Sequence, residues 1–264
     1  PTAKPWSYSF HDIEVDSVSE VRIGDNLFGG SARGRGGFEL HRRREAEILP
    51  SALEVAGLTL SHRDSVLASG VDGTVRFHVT PYLYRGAKPA DLLPRFVGEI
   101  VLDGLVDPRE GIAYLTRAWP SLAIDTGVAD VSARLLLRGG RLGSGSRLQV
   151  SAPQQKLRFL GFEARGAAEL EARVDGGPGA PRLQTELTFA SWELGRPGGA
   201  AQMTGDGLRL TTRSAETSLL KPPAGGELEL DLGTARVPDL RFLNDHLPAA
   251  AGVQVESGEA SLAG

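Results

Sequence analysis

A repeated segment constrains the fold of this chain more than any other feature. Residues 98–103 read Gly-Glu-Ile-Val-Leu-Asp and return 128 positions later, at 226–231, as Gly-Glu-Leu-Glu-Leu-Asp. After a three-residue insertion the match resumes, with residues 126–131 against 257–262. Each copy is predicted to form a strand, a short amphipathic helix that ends before a proline, and a second strand. A repeated unit of sheet plus helix indicates growth along one axis, which favours a scaffold or conduit over a compact catalytic domain.

Apolar and polar residues alternate along much of the chain. In residues 182–189, for example, Leu187 and Phe189 alternate with Glu186 and Thr188. Such alternation predicts antiparallel strands with one apolar and one polar face, because successive side chains of a strand point to opposite sides. Turn signals rich in glycine separate these runs at 138–141, 175–179 and 196–199.

The spacing of these runs predicts a mostly β fold. Strand candidates recur about every 8–12 residues, which is the interval typical of sandwiches and barrels. We interpret the whole as an extended antiparallel sheet with a few short helices, and a closed β-sandwich is the alternative. In the N-terminal third the strand candidates are short, at 13–15, 21–23, 38–40, 53–60 and 75–79.

Few helices are predicted. The first copy of the repeat contains one that begins at Asp107, a good N-cap residue followed by proline at the first helical position. Its counterpart in the second copy spans residues 237–247, with leucines on one face. Residues 89–94 are expected to form one further helical turn.

We divide the chain after residue 88. Residues 1–88 form an N-terminal β segment, and residues 89–264 form a second β segment bounded by related strand-helix-strand units at 98–138 and 226–264. The chain starts without methionine and ends in an apparent strand. We therefore expect it to be a piece of a longer protein.

Composition excludes several functions. The net charge of -4 and the pI near 5.8 offer no concentrated basic footprint for nucleic acid, so we expect no nucleic-acid partner. The chain contains no cysteine, which rules out disulfides and thiolate chemistry. No stretch of the sequence approaches the roughly 18 consecutive apolar residues of a membrane-spanning helix.

No catalytic or cofactor motif is complete. No serine has glycine at both positions that a nucleophile elbow requires. The glycine-rich segments 34–37 and 143–145 complete neither a dinucleotide fingerprint nor a phosphate loop, and we interpret them as strand-turn glycines. We predict that the protein is not an enzyme and binds no cofactor or metal ion.

Two polar groupings have more than one interpretation. His62 and Asp64 are two residues apart and share one face of a strand. They are either surface residues or part of a metal or hydrolytic site completed from elsewhere in the chain. The basic run 41–44 is either a solvated strand end or a contact for anionic lipid headgroups.

Several segments share one sequence pattern. In this pattern a strand and a short helix come before an alternating strand that begins with Ser-Gly or Thr-Gly. These segments are 10–16, 27–32, 52–60, 226–231, 240–247 and 255–264. The pattern resembles the AsmA-like group of bacterial envelope proteins, which includes TamB. The resemblance extends over most of the chain. It consists of degenerate repeats rather than of a single motif.

This resemblance implies a long, twisted sheet that is folded lengthwise into a groove with an apolar lining. It also implies a periplasmic protein, anchored in the inner membrane by an N-terminal helix, that takes part in phospholipid transport and outer-membrane homeostasis. The implied partners are phospholipid or another acyl lipid, and the membrane itself through flanking segments. No cofactor is implied.

A leucine-lined groove is consistent with lipid binding, because leaving one leucine in water costs about 1.5–3 kcal/mol. Acyl chains would cover such a wall, and they would do so without any catalytic residue. The candidate lining is formed by alternating residues of the second β segment: Leu135, Leu137, Leu148, Val150, Leu170, Val174, Leu187, Phe189, Leu208, Leu210, Leu228 and Leu230.

A different class of function stays open at this point. The same leucines would be ordinary core residues in a β-rich structural or adhesion scaffold with a closed interior. The distinguishing feature is whether a continuous apolar trough is open to solvent.

Overall fold

The computed structural model describes residues 7–23, 25–41, 45–62, 65–83, 89–107, 122–159, 161–177, 180–221, 226–245 and 252–263. Within these ranges fifteen strands form one antiparallel sheet. The strands are β1 (Ser7–Ile23), β2 (Asn26–His41), β3 (Glu45–His62), β4 (Ser65–Leu83), β5 (Phe96–Val106), β6 (Leu122–Thr126), β7 (Ala129–Arg138), β8 (Arg141–Leu142), β9 (Arg147–Phe159), β10 (Phe162–Asp175), β11 (Arg182–Gly195), β12 (Ala201–Ser214), β13 (Glu227–Asp231), β14 (Thr234–Val237) and β15 (Ala260–Ala263).

Most strands pair with their neighbours in sequence. The order across the sheet is β1-β2-β3-β4-β5-β7-β9-β10-β11-β12-β14-β15. β6 and β7 pair with opposite halves of β9 and so form one interrupted strand, and β13 and β14 do the same beside β12. The sheet is open rather than closed into a barrel, which confirms the mostly β, groove-like fold class.

The first four strands are longer than the short segments that the sequence predicts. β1 to β4 contain 17, 16, 18 and 19 residues, and all five predicted segments lie inside them. Each strand continues through register shifts at which an extra residue interrupts the alternation. The prediction of short strands was wrong because an interrupted alternation looks like a strand end in the sequence.

A line of glycines and bulges crosses the sheet. Gly30, Gly57 and Gly70 have φ values of 138°, 60° and 59°, and they lie at register shifts of three adjacent strands. On the other side of the sheet Gly207 and Gly233 have φ values of 76° and 59° and lie against each other. Glycine adopts these conformations without steric cost. Bulges bend and twist strands, and we call this line of glycines and bulges the fold line.

The bulges also keep apolar side chains on one face. In β11, Leu187 and Phe189 belong to the apolar core before the register shift, and Trp192 and Leu194 belong to it afterwards. Side-chain direction alternates at every residue of a strand. Without the extra residue, the apolar side chains in the second half of the strand would therefore point to the opposite face. The apolar face is therefore continuous across the fold line.

The core is concentrated in β9 to β12 and contains residues from both sides of the fold line. Phe189 is fully buried and Trp192 is 2% exposed. The Trp192 ring lies against the backbone of Gly205, where a Cβ atom would come within 2.5 Å of the ring. The remaining buried members of this cluster are Leu157, Ala164, Ala168, Leu187, Leu208 and Ala235.

In the first copy of the repeat β5 pairs with β7, and in the second copy β14 pairs with β15. Between β14 and β15 lies a 3₁₀ helix at Leu240–Asp245, which is shorter than the predicted helix because Val237 still belongs to β14. The predicted helix of the first copy lies outside the described residues. The turn near 89–94 is present as helix α1 (Pro89–Leu92) and a 3₁₀ turn (Leu93–Arg95).

Candidate functional site: the apolar face of the sheet

All twelve residues of the predicted lining share one face of the sheet. The register pairs Leu170 with Val150 and Leu187, and it pairs Leu210 with Leu187 and Leu230. Cross-strand partners point to the same side of a sheet, and alternate residues along each strand do so as well. The sequence therefore predicts correctly which side chains face the same way.

The exposure of these twelve residues differs widely along the sheet. Leu228 and Leu230, on β13, are 64% and 46% exposed. Leu135, Leu148, Val150, Leu170 and Leu210 are half-buried. Leu137, Val174, Leu187, Phe189 and Leu208 are buried. A side chain that is already buried by protein has no surface to offer a ligand, so the last five belong to the core rather than to an open lining.

The accessible part of the apolar face includes strands that the predicted lining omits. Tyr8, Phe10 and Val15 of β1 are 59%, 45% and 40% exposed. Phe10 stacks on Phe38, with ring centroids 4.6 Å apart. The next strands contribute half-buried side chains to the same face, namely Leu53, Val55, Val75, Phe77, Ile100 and Leu102. The sequence signal for them is present in β3 to β5, where alternation is as clear as in the second segment.

One row of residues runs across the whole sheet from β1 to β13, and we call it the apolar track. Each member is the register partner of the next: Val18, Ala32, Val55, Gly73, Leu102, Ala133, Leu148, Ala172, Thr185, Thr212 and Leu228. None of these residues is charged, and all except Ala133 are half-buried or exposed. With strands about 4.8 Å apart, the track is about 48 Å long.

A second uncharged row flanks the apolar track on one side. Its members are Val15, Gly34, Leu53, Val75, Ile100 and Leu135, again in register from strand to strand. Together the two rows form an apolar strip that is two residues wide over six strands. A strip of this shape is suited to a long, flexible apolar ligand more than to a compact one.

The opposite face is organised by ion pairs between neighbouring strands. Arg33 pairs with Glu54 at 2.6 Å and Glu99 with Arg134 at 2.8 Å. Farther along the sheet, Arg147 pairs with Glu171, Arg209 with Glu186, and Arg213 with Glu229. Pairs of exposed charges contribute little stability individually, but they keep this face hydrated and set it apart from the uncharged strip.

Glu163 is the most deeply buried charge of the polar face. Its carboxylate is 2% exposed and accepts hydrogen bonds from Arg158 Nε at 2.7 Å and from Arg165 Nε at 2.6 Å. The hydrogen bonds from Arg158 and Arg165 hold the pKa of Glu163 below its ordinary value, against the opposing effect of burial. With both carboxylate oxygens occupied, Glu163 has a structural role.

A shallow depression on the same polar face is lined by carboxylates of adjacent strands. Asp103, Asp130 and Glu169 contribute to it, beside Glu171 and Glu186. Arginines neutralise the last two. An acidic lining of this kind repels phosphate groups.

The polar groupings singled out in the sequence are only partly described. His62 ends β3, whereas Asp64 lies outside the described residues. His41 ends β2, and the three arginines that follow it also lie outside them. The glycines at 34–37 lie within β2 rather than in a turn, so their interpretation as strand-turn glycines was wrong. At Gly37 the neighbouring strand is close, because a Cβ there would lie 2.5 Å from the Phe10 carbonyl oxygen. Gly145 does lie in a turn, with a φ of 90°.

Among the described residues, none of the helices has the length and apolar character needed to cross a membrane. Comparison of the chain with protein-family models, with curated proteins and with solved structures finds no match. The AsmA-like resemblance therefore has no support beyond the residues on which it was based, and any function has to be argued from the face itself.

Proposed function

We propose that the apolar track binds the acyl chains of phospholipid or of another acyl lipid, and that the protein is a non-enzymatic lipid-binding or lipid-transfer segment. The observation that supports this is the uncharged row that continues through eleven strand positions, ten of which are half-buried or exposed. The AsmA-like resemblance of the sequence adds the location to the proposal: a periplasmic segment of an envelope-biogenesis protein that is anchored in the inner membrane.

The physical argument begins with the cost of exposing apolar surface. Each leucine left in water costs about 1.5–3 kcal/mol, and the accessible strip contains Leu53, Leu102, Leu135, Leu148 and Leu228. A ligand made of CH₂ groups removes this cost, at about 0.8 kcal/mol per buried CH₂. Since neighbouring positions of the strip are chemically alike, an acyl chain can shift along it without breaking a specific polar contact. Such a surface permits transfer as well as binding.

The test of this proposal places charge on the track. We expect the double variant Leu102→Arg, Leu148→Arg to lose bound lipid, because both side chains are half-buried members of the track. The matched control is Ser132→Arg, Gln149→Arg, which adds the same charge on the opposite face at two exposed register partners. Lipid in organic extracts of the purified proteins is measured by mass spectrometry, and folding is checked by far-UV circular dichroism.

The proposal predicts lipid in near-stoichiometric amounts with the wild type and the control, and little with the track variant. Equal lipid occupancy in a folded track variant would contradict the assignment of these residues. Absence of lipid from well-folded wild-type protein, together with a failure to take up lipid from vesicles, would contradict the function.

A second candidate function is a β-rich structural or adhesion scaffold. The buried core of β9 to β12 favours it, because Phe189, Val174 and Leu208 are 0%, 1% and 2% exposed and are thus already covered by protein. On this account the accessible strip is covered by another protein surface. The same extraction experiment separates the two, since a scaffold carries no lipid and is insensitive to the track variant in that assay.

A further inference from the structure

Three potential metal ligands converge on the polar face near the N-terminal edge of the sheet. Glu39 and His41 are two residues apart on β2, and Glu47 is the register partner of Glu39 on β3. The ligand atoms of these three side chains all lie within 4.8 Å of one another. Among the described residues, they are the one set of three or more His, Asp or Glu side chains that meets this condition.

One pair in this cluster already has the spacing of a coordination sphere. His41 Nε2 lies 3.4 Å from Glu39 Oε2. Two ligand atoms of a tetrahedral site with bonds of about 2.0–2.1 Å are about 3.3 Å apart. The ligand atom of Glu47 lies within 4.8 Å of the other two, a distance that a side-chain rotation can close while both strands keep their register.

Among the described residues, three acidic side chains lie in or beside the cluster. Glu39 and Glu47 are directly opposite each other on neighbouring strands, where like charges destabilise a sheet. Glu45, the register partner of His41, adds another acidic side chain to this face. Elsewhere on the polar face, carboxylates such as Glu54 and Glu99 have an arginine partner. Within the described parts of the chain, no lysine or arginine forms an ion pair with Glu47.

A residue outside the cluster orients one of its ligands. Ser9 on β1 donates a hydrogen bond from its Oγ to Glu39 Oε1 at 3.2 Å. That bond leaves Oε2, the oxygen beside His41, as the free ligand atom. Hydrogen bonds of this type orient metal-binding carboxylates in known sites. The side chains of Glu39 and His41 are 26% and 32% exposed, so an ion can reach them from solvent.

We propose that Glu39, His41 and Glu47 bind a divalent transition-metal ion of the Zn²⁺ class and thereby link β2 to β3. Imidazole nitrogen and carboxylate oxygen are the ligand types that such ions take. With three protein ligands a fourth position stays open for water. The site is independent of the apolar track, because it lies on the opposite face of the sheet.

The test is calorimetric titration of metal-free wild-type protein with Zn²⁺, followed by Co²⁺, whose visible spectrum reports coordination geometry. We expect one equivalent to bind and Ser9→Ala to weaken binding about tenfold, with Glu47→Gln and His41→Gln weakening it at least as much. The matched control is Glu54→Gln on β3, which removes a carboxylate paired to Arg33 and should leave the affinity unchanged.

Two results would overturn the proposal. One is the absence of a one-equivalent transition with folded wild-type protein. The other is binding that is equally strong in Glu47→Gln and in Glu54→Gln, because binding would then occur elsewhere on the acidic surface. Circular dichroism of each variant distinguishes a lost ligand from a lost fold.

Discussion

At the scale of single residues, Glu163 shows how this sheet tolerates a buried charge. The carboxylate joins β9 to β10 through Arg158 and holds Arg165 on its own strand. Removing a charged hydrogen-bonding partner from such a site costs more than removing an exposed ion pair. Glu163 should therefore matter for stability, whereas most charges of the polar face should not.

We expect Glu163→Gln to lower the free energy of unfolding at neutral pH by about 1–3 kcal/mol. The lowered pKa of Glu163 means that its contribution is complete above the ordinary value of 4.5 and is lost as the pH falls below it. The difference between variant and wild type should therefore shrink in acid. Urea unfolding across the acidic range measures this difference.

The control for this prediction is Glu169→Gln on the same strand. Glu169 is exposed on the same face, so its substitution should change the unfolding free energy by less than about 0.5 kcal/mol. If the two variants behaved alike, or if the Glu163 effect persisted unchanged in acid, the structural role assigned to the Glu163 carboxylate would be wrong.

At the scale of strands, the sequence predicts where a strand lies but not that the strand continues through a register shift. Alternation identifies β3 as a strand over residues 53–60, but the strand extends from Glu45 to His62. Register shifts between Ala46 and Ile48 and between Ile48 and Ser51 interrupt the alternation before residue 53. An extra residue has no signature in the sequence other than such a break in pattern, and a break also marks the end of a strand.

The fold line makes a prediction about its glycines. Gly57 has a φ of 60°, and a Cβ placed on it would contact nothing within 4 Å. Substitution therefore tests backbone conformation without a steric clash. We expect Gly57→Val to cost about 1–2 kcal/mol of unfolding free energy and Gly57→Asn to cost less, since asparagine tolerates this region. Gly207, with a φ of 76° and equally open surroundings, should respond in the same way.

Thermal and urea unfolding of the four variants provide the measurement. If valine and asparagine lowered the unfolding free energy equally at both positions, the positive φ would not be the reason that glycine is needed there. The presence of glycine at these two positions would then need another explanation.

At the scale of the whole molecule, the apolar face of the sheet is largely accessible in one part and buried in another. In β9 to β12 the apolar face is packed against itself around Phe189 and Trp192. In β1 to β5 most of it is half-buried or exposed, although Ala46, Val71 and Val79 are buried. The apolar track connects the two parts. The molecule thus combines features of both functions inferred from the sequence, a closed core and an accessible strip.

The sequence predicts the face of each strand but not its exposure. Val174 and Phe189 share a face with Leu148 and Leu228, and alternation treats all four alike. Which of them meets solvent depends on what packs over each part of the face, and alternation within a strand carries no signal for that. The predicted lining consequently includes core residues and omits the accessible side chains of β1 to β5, such as Phe38. Similarly, Glu47 joins Glu39 only through cross-strand register.

The most direct test of the proposed lipid binding uses the absence of cysteine from the chain. A single thiol is introduced on the apolar track as Leu102→Cys, and in a second variant on the opposite face as Ser132→Cys. The two positions are close, because Ser132 is next in sequence to Ala133, the register partner of Leu102 on the adjacent strand. The rate of reaction with a water-soluble maleimide is measured before and after incubation with phospholipid vesicles and their removal. The account predicts that lipid slows the reaction several-fold at Leu102→Cys and leaves it unchanged at Ser132→Cys. Equal rates with and without lipid at Leu102→Cys, in folded protein, would contradict it.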